Sequence, residues 1–144
     1  MPRGSVVSRE REIIADLDEL EDQVLQMQYI LACAEDVREL PADRRNDDAK
    51  VPGCLSEVWV DFEVDECDRF HMRAESDALI VKGVLGIVSL IVDGASVHEV
   101  ARWEPRIEEC DGLRRHLMRR RQGVGAVLER VRNHARRYIE ESRS

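Results

Sequence analysis

The 144-residue chain is 43% hydrophobic and 36% charged, with a formal net charge of −8, a balance that excludes intrinsic disorder and suffices for a buried core without disulfides or a structural metal. No stretch reaches the roughly 20 apolar residues of a membrane helix, and the longest apolar run, "ALIVKGVLGIVSLIV", is broken by Lys82 and two glycines. The opening "MPRGSVVSREREII" lacks the apolar stretch of a signal peptide, so the expectation is a single cytoplasmic domain over residues 1–144.

In chain order, Ser8 is the expected cap of a first helix, with Glu10 and Glu12 near its positive end. Ile13, Ile14, Leu17, Leu20, Val24, Leu25 and Leu31 follow at helical spacing, with Gln28 as a polar break, giving one long helix or two joined near Asp18. Helical character ends before Pro41, and "PADRRNDDA" reads as an exposed polar loop.

"SEVWVDFEV" alternates, with Val58, Val60, Phe62 and Val64 on one face and Trp59, Asp61 and Glu63 on the other. "DECD" is turn-like, and Phe70, Met72 and Ala74 alternate again, so an antiparallel hairpin is expected. "AKVPG" suits a short third strand, which Pro52 confines to an edge. Ser76 is the expected cap of a nearly all-apolar, buried helix that Gly94 stops. "SVHEVARW" then forms a short helix, and two more run over about 106–119 and 122–141. Helices, strands, then helices make an α+β fold: a small antiparallel β-sheet of two to three strands packed on one face by helices.

From Leu113 onward the chain holds ten arginines against three glutamates, on an otherwise acidic body. No aromatics interleave these arginines as base stacking needs, which argues against nucleic acid. They read as a solvated or acid-paired face of a terminal amphipathic region.

Four cysteines, at 33, 54, 67 and 110, show no CxxC pair. Cys67 in "DECD" and Cys110 in "EECDG" sit among acids, surroundings that oppose thiolate formation. Cys33, in "YILACAEDV", lies on the apolar side of a helix, where cysteine serves as a small hydrophobe. Cys54 differs: it follows Pro52-Gly53, Lys50 is upstream, and the nearest acid is Glu57. Its residues alone leave two readings open, a reactive thiol on a turn or a packed one closing off a strand. Cys54, Cys67 and Cys110, with one of His71, His98, His116 or His134, form a rival set for zinc or an iron–sulfur cluster, without the tight ligand spacing such sites show. No GxSxG motif supports a hydrolase.

"VPGCLSEVWV" followed some twenty residues later by "ESDALIVKGV" resembles the SufE family of cysteine desulfurase accessory proteins. Gly53, Cys54, Ser56, Val58 and Trp59 carry the first motif; Ser76, Asp77, Ala78, Ile80, Val81, Lys82 and Gly83 carry the second. Arg120, Arg121, Gln122 and Gly123 fit a third, before the last helix. Ala74 stands where the family has a glycine-containing turn, and Arg119–Arg121 replace a Ser/Pro-rich approach.

The resemblance implies an IscU/SufE-like fold and a sulfur acceptor that stimulates a pyridoxal-phosphate-dependent, SufS- or CsdA-like cysteine desulfurase. Cys54 would hold the sulfur as a persulfide and pass it to a downstream iron–sulfur scaffold. Gly53, Ser56, Trp59, Ser76, Asp77, Lys82 and Gly83 would support the loop, and Arg120 would contact the partner or pair with an acid. Lys50 or Lys82 would favour the thiolate, and Trp59 would cover the loop or pack in the core. The implied protein is an accessory to the desulfurase, with no metal or cofactor of its own (the pyridoxal phosphate is the partner's), off the membrane, and a monomer or weak homodimer. The alternative is a metal- or cluster-binding scaffold using several of Cys54, Cys67 and Cys110.

Overall fold

A computed structural model describes residues 4–143. Helix α1 spans Val6–Glu19 and α2 spans Gln23–Ala32, so the N-terminal periodicity resolves into two helices. The break falls at 20–22, where the Asp22 carboxylate caps α2 by accepting the Val24 N–H at 2.7 Å. The interruption rotates the apolar face: Ile13 and Leu17 are buried, but Val24 and Leu25 are exposed, and Gln26 and Ile30 turn inward instead.

The cap of α1 is Ser5, whose hydroxyl accepts the Ser8 N–H at 3.1 Å. Ser8, the expected cap, stands inside the helix and donates back to the Ser5 carbonyl at 3.0 Å. Glu10 is buried rather than solvated at the helix end, and its Oε2 accepts the N–H groups of Arg106 and Ile107 at 2.7 and 3.0 Å.

Strands β1 (Val58–Val64) and β2 (Phe70–Ser76) form the expected hairpin, pairing Val58 with Ser76, Val60 with Ala74 and Phe62 with Met72. Val58, Val60, Phe70, Met72 and Ala74 are buried on the helix-covered face. Extended chain borders both edges. Val51 N–H donates to Val58 O and Val60 N–H to Ala49 O, each at 2.8 Å, while Ala74 N–H donates to Arg38 O at 3.0 Å. The anticipated third strand is thus a single antiparallel bridge, Lys50 to Trp59. Pro52, lacking an N–H, follows directly, and the pairing stops there.

Helix α3 (Leu79–Val92) is the apolar helix of the sequence, buried at Val81, Gly83 through Ser89, Ile91 and Val92. Ser76 does not cap it: that residue ends β2, and its Oγ accepts the Ala78 N–H at 3.2 Å in the turn leading into α3. The short α4 (Val97–Arg102) is capped by Ser96. The region expected as one helix over about 106–119 is a 3₁₀ turn at Ile107–Glu109, α5 (Asp111–Leu117) and a second 3₁₀ turn at Met118–Arg120. Helix α6 (Arg121–Ser142) buries Gly123, Val124, Val127, Leu128, Val131 and Ala135, a stripe at helical spacing. Two of its arginines meet backbone rather than acids: Arg136 Nε donates to Ala101 O at 3.1 Å, and Arg130 to the carbonyls before the Cys54 loop.

No helix among the described residues is long and apolar enough to cross a membrane.

The candidate sulfur-handling loop around Cys54

The Val51–Val58 hydrogen bond closes a loop over residues 52–57 with Cys54 near its middle. Gly53 turns the chain at φ +83°, a conformation that side chains with a Cβ rarely adopt, and beyond its two chain neighbours no described residue comes within 4 Å of where its Cβ would be. On the far side, Glu57 N–H donates to Asp77 Oδ1 at 3.0 Å and Asp77 N–H to Glu57 O at 3.4 Å. This reciprocal pair joins the two sequence motifs into one structure: the carboxylate that opens the second motif fixes the end of the loop that carries the first.

The Cys54 side chain is half-buried and packs against the first turn of α6 at Gly123. It lies at a small cavity of about 20 Å³ lined by the loop, α3 and α6, chiefly Val58, Val81, Val84, Leu85 and Val127. That is about the space one water needs, so the pocket holds little beyond the thiol. Burial pushes the Cys54 thiol up, and the Arg130 guanidinium opposes this. At rest, then, the sulfur is kept as a neutral thiol in an apolar seat.

Ser56 and Arg120 also line the cavity. Arg120 Nε is buried there with no hydrogen-bond partner among the described residues, a donor available to an acceptor that enters the site. Trp59 is absent from this lining; it lies half-buried on the opposite face of β1, paired in register with Glu75. Lys82 Nζ meets Glu75 at 3.3 Å and Glu39 at 3.8 Å, and Lys50 Nζ meets Glu57 at 3.5 Å. Both lysines are therefore balanced by acids. Arg130, whose guanidinium opposes the effect of burial on the Cys54 thiol, was not singled out by the sequence; it stands seven residues past Gly123 on the same face of α6, a spacing visible only once the helix is placed.

Gly83 serves packing. A Cβ there would stand 2.2 Å from the Ile30 carbonyl oxygen, so the glycine lets α3 lie against the backbone of α2. Cys33 and Cys110 are buried, with Cys110 Sγ hydrogen-bonded to Asp18 Oδ1 at 3.4 Å, and Cys67 is exposed in the hairpin turn. Among the described residues no three His, Cys, Asp or Glu side chains converge as metal ligands would. Cys54, Cys67 and Cys110 are not brought together.

An uncharacterised SufE-like protein of Rhizobium meliloti (strain 1021) is 32% identical over 130 residues, covering 84% of this chain and 88% of that protein. The sulfur acceptor protein CsdE of Escherichia coli (strain K12) is 28% identical over 134 residues, 90% of this chain and 89% of CsdE. The solution structure of a hypothetical protein from Thermus thermophilus superposes with a TM-score of 0.77 over 92% of this chain and 96% of that one, at 19% identity, a likeness of fold. The family model for SufE, the Fe-S metabolism associated domain, matches residues 11–135, and the chain with its Cys54 loop belongs to that family.

Proposed function

We propose that the protein accepts sulfane sulfur from a cysteine desulfurase on Cys54, stimulates that enzyme, and delivers the sulfur for iron–sulfur cluster assembly. The observation that carries this reading is the seat of Cys54: a thiol on a glycine-turned loop, packed against Gly123 at a cavity of about 20 Å³. The family and the likeness to CsdE, a sulfur acceptor by name, support it.

The transfer is a thiol exchange. The Cys54 thiolate attacks the terminal sulfur of a persulfide on the partner's catalytic cysteine. A new S–S bond forms at Cys54 as the partner's S–S bond breaks, and the partner's sulfur leaves as a thiolate that takes up a proton. No electrons are gained or lost overall. The pyridoxal phosphate that liberates sulfur from free cysteine belongs to the partner.

Two demands on Cys54 conflict, and the loop reconciles them. Attack requires an accessible, ionised sulfur, whereas storage requires one hidden from water and oxidants. The apolar seat serves storage. The open space around Gly53 lets the tip of the loop swing out while the Val51–Val58 and Glu57–Asp77 bonds hold its ends. Leu55, Leu79 and Met118 are 66%, 62% and 76% exposed, and each follows or precedes a residue lining the cavity. They form the apolar surface that a docking desulfurase would cover. The lack of stacking aromatics on its arginines and the absence of converging ligands among the described residues favour a protein partner over nucleic acid or a resident metal.

The test is intact mass and peptide mapping after incubation with a SufS- or CsdA-like desulfurase and free cysteine. The expected result is one added sulfur on Cys54, lost in Cys54→Ala and kept when Cys33, Cys67 or Cys110 is replaced. An unmodified Cys54 beside a desulfurase that turns over would overturn it.

A further inference from the structure

One face of α6 holds the Cys54 loop at two points. Gly123 seats the sulfur, and Arg130, seven residues and two turns along, lies on the same face. Arg130 Nη1 donates to the carbonyls of Asp48 and Ala49 at 3.0 and 3.3 Å. Ala49 is also the residue whose carbonyl accepts the Val60 N–H, so the clip grips the stem of the loop where it joins the sheet edge. These partners are neutral carbonyls and leave the guanidinium charge uncompensated by the bonds it makes. The two lysines of the region are instead matched to carboxylates, Lys50 to Glu57 and Lys82 to Glu75.

We propose that Arg130 is the positioning residue of Cys54: it clips the stem of the loop to α6 and supplies the cationic field in which the attacking thiolate forms. This rests on Cys54 being the sulfur acceptor. The other charged groups around the loop are Arg120 at the cavity, the Lys50–Glu57 pair, and Asp77, whose carboxylate is engaged by the Glu57 N–H, while Arg130 itself shares a surface pocket with Asp43, Asp48, Asp61, Arg44, Arg137 and His134. Of these and Arg130, only Arg130 both holds the backbone of the stem, through one nitrogen shared by two carbonyls, and stands on the face of α6 that seats the sulfur. An ammonium would keep the charge on a shorter stem, without the planar group that sets Nη1 between the two carbonyls. Consistent with the geometry, the Arg130 guanidinium is the group that opposes the effect of burial on the Cys54 thiol.

The test compares wild type, Arg130→Gln and Arg130→Lys in two assays. The first follows alkylation of Cys54, read on its own peptide, by neutral iodoacetamide and anionic iodoacetate from neutral to alkaline pH. Arg130→Gln should slow iodoacetamide at neutral pH by about threefold, move the profile to higher pH, and lower the iodoacetate-to-iodoacetamide rate ratio. Arg130→Lys should restore the profile and the ratio. Amide exchange at Lys50 and Val51 should quicken in Arg130→Gln, which loses the guanidinium donor to the Asp48 and Ala49 carbonyls. A profile and ratio unchanged in Arg130→Gln, or a change equal for both reagents with no shift in pH, would overturn the proposal by leaving Arg130 a structural residue only. The second assay is sulfur uptake from the desulfurase. Wild type failing there while the alkylation differences hold would strike the acceptor reading and leave the positioning of Cys54 by Arg130 intact.

Discussion

The sulfur of Cys54 occupies the place where a side chain on Gly123 would begin. A Cβ built on that glycine stands 2.9 Å from Sγ and 3.4 Å from both Cα and Cβ of the cysteine. Residues 69 positions apart in the chain thus fit as thiol and seat, and the glycine that closes the Arg-x-x-Gly motif acquires a steric reason.

Gly123→Ala should therefore expose the thiol without unfolding the protein. The sulfur is at the tip of a loop that can give, and alanine in a helix is favoured over glycine by about 1 kcal/mol, which offsets the local crowding. Alkylation of Cys54 in the free protein should speed up several-fold while the denaturation midpoint stays close to wild type. Slower alkylation, or none of the expected gain, would show that Cys54 is not seated on Gly123.

Gly86→Ala should behave in the opposite way. Its Cβ would fall 1.8 Å from the Cys33 carbonyl oxygen, and that neighbour is backbone at the end of α2, which cannot swing aside. The cost expected is about 3 kcal/mol or more, from overpacking against an immovable wall. Urea denaturation of the two alanine variants side by side checks the contrast; similar stabilities would contradict it.

What the sequence disclosed follows from how local each signal is. Strict alternation placed Val58, Val60, Phe70, Met72 and Ala74 on the buried face, because a strand's period of two leaves no choice once one face is apolar. The apolar run from Leu79 to Val92 could only be a buried helix. Errors arose where a long-range contact decided the matter. Glu10 looked like a helix-end charge but serves the backbone of Arg106 and Ile107, more than ninety residues away. Ser76 looked like a cap but was taken by pairing with Val58. In the site, Cys54 and its two motifs were readable from sequence, whereas Arg130 was one arginine among the ten from Leu113 onward until α6 was laid beside the loop.

Glu10→Ala should be among the more damaging changes far from the site. It would strip one buried and one part-buried N–H group of their acceptor, at a cost of about 2–4 kcal/mol. Glu10→Gln keeps an amide oxygen in the same place and should recover about half of that loss. Denaturation in urea, with equal slopes for the three proteins, checks the ranking; a glutamine variant as unstable as the alanine one would mean the carboxylate acts by charge rather than as an acceptor.

The buried thiol of Cys33 should make stability fall in alkaline solution. Burial, helped by the nearby Asp36, pushes its pKa from 9.0 to about 11. A thiol is neutral when protonated, so a raised value means that the folded state holds the proton more tightly than the unfolded chain does. Below pH 9.0 both states keep it, and the full stabilisation is present. Between 9.0 and about 11 the unfolded chain ionises first and is favoured increasingly, so the stability is lost as pH rises. Tyr29, pushed from 10.0 to about 12 by burial and then by Cys33 and Asp16, adds a second loss in the same sense at higher pH. The Cys33 contribution amounts to about 2–3 kcal/mol at most. Cys33→Ala should start less stable, having lost a packed sulfur, but its stability should decline less steeply than wild type across this window. Urea denaturation of both proteins at a series of alkaline pH values measures the two slopes, and parallel slopes would show that the Cys33 thiol ionises as freely in the folded protein as in the unfolded chain.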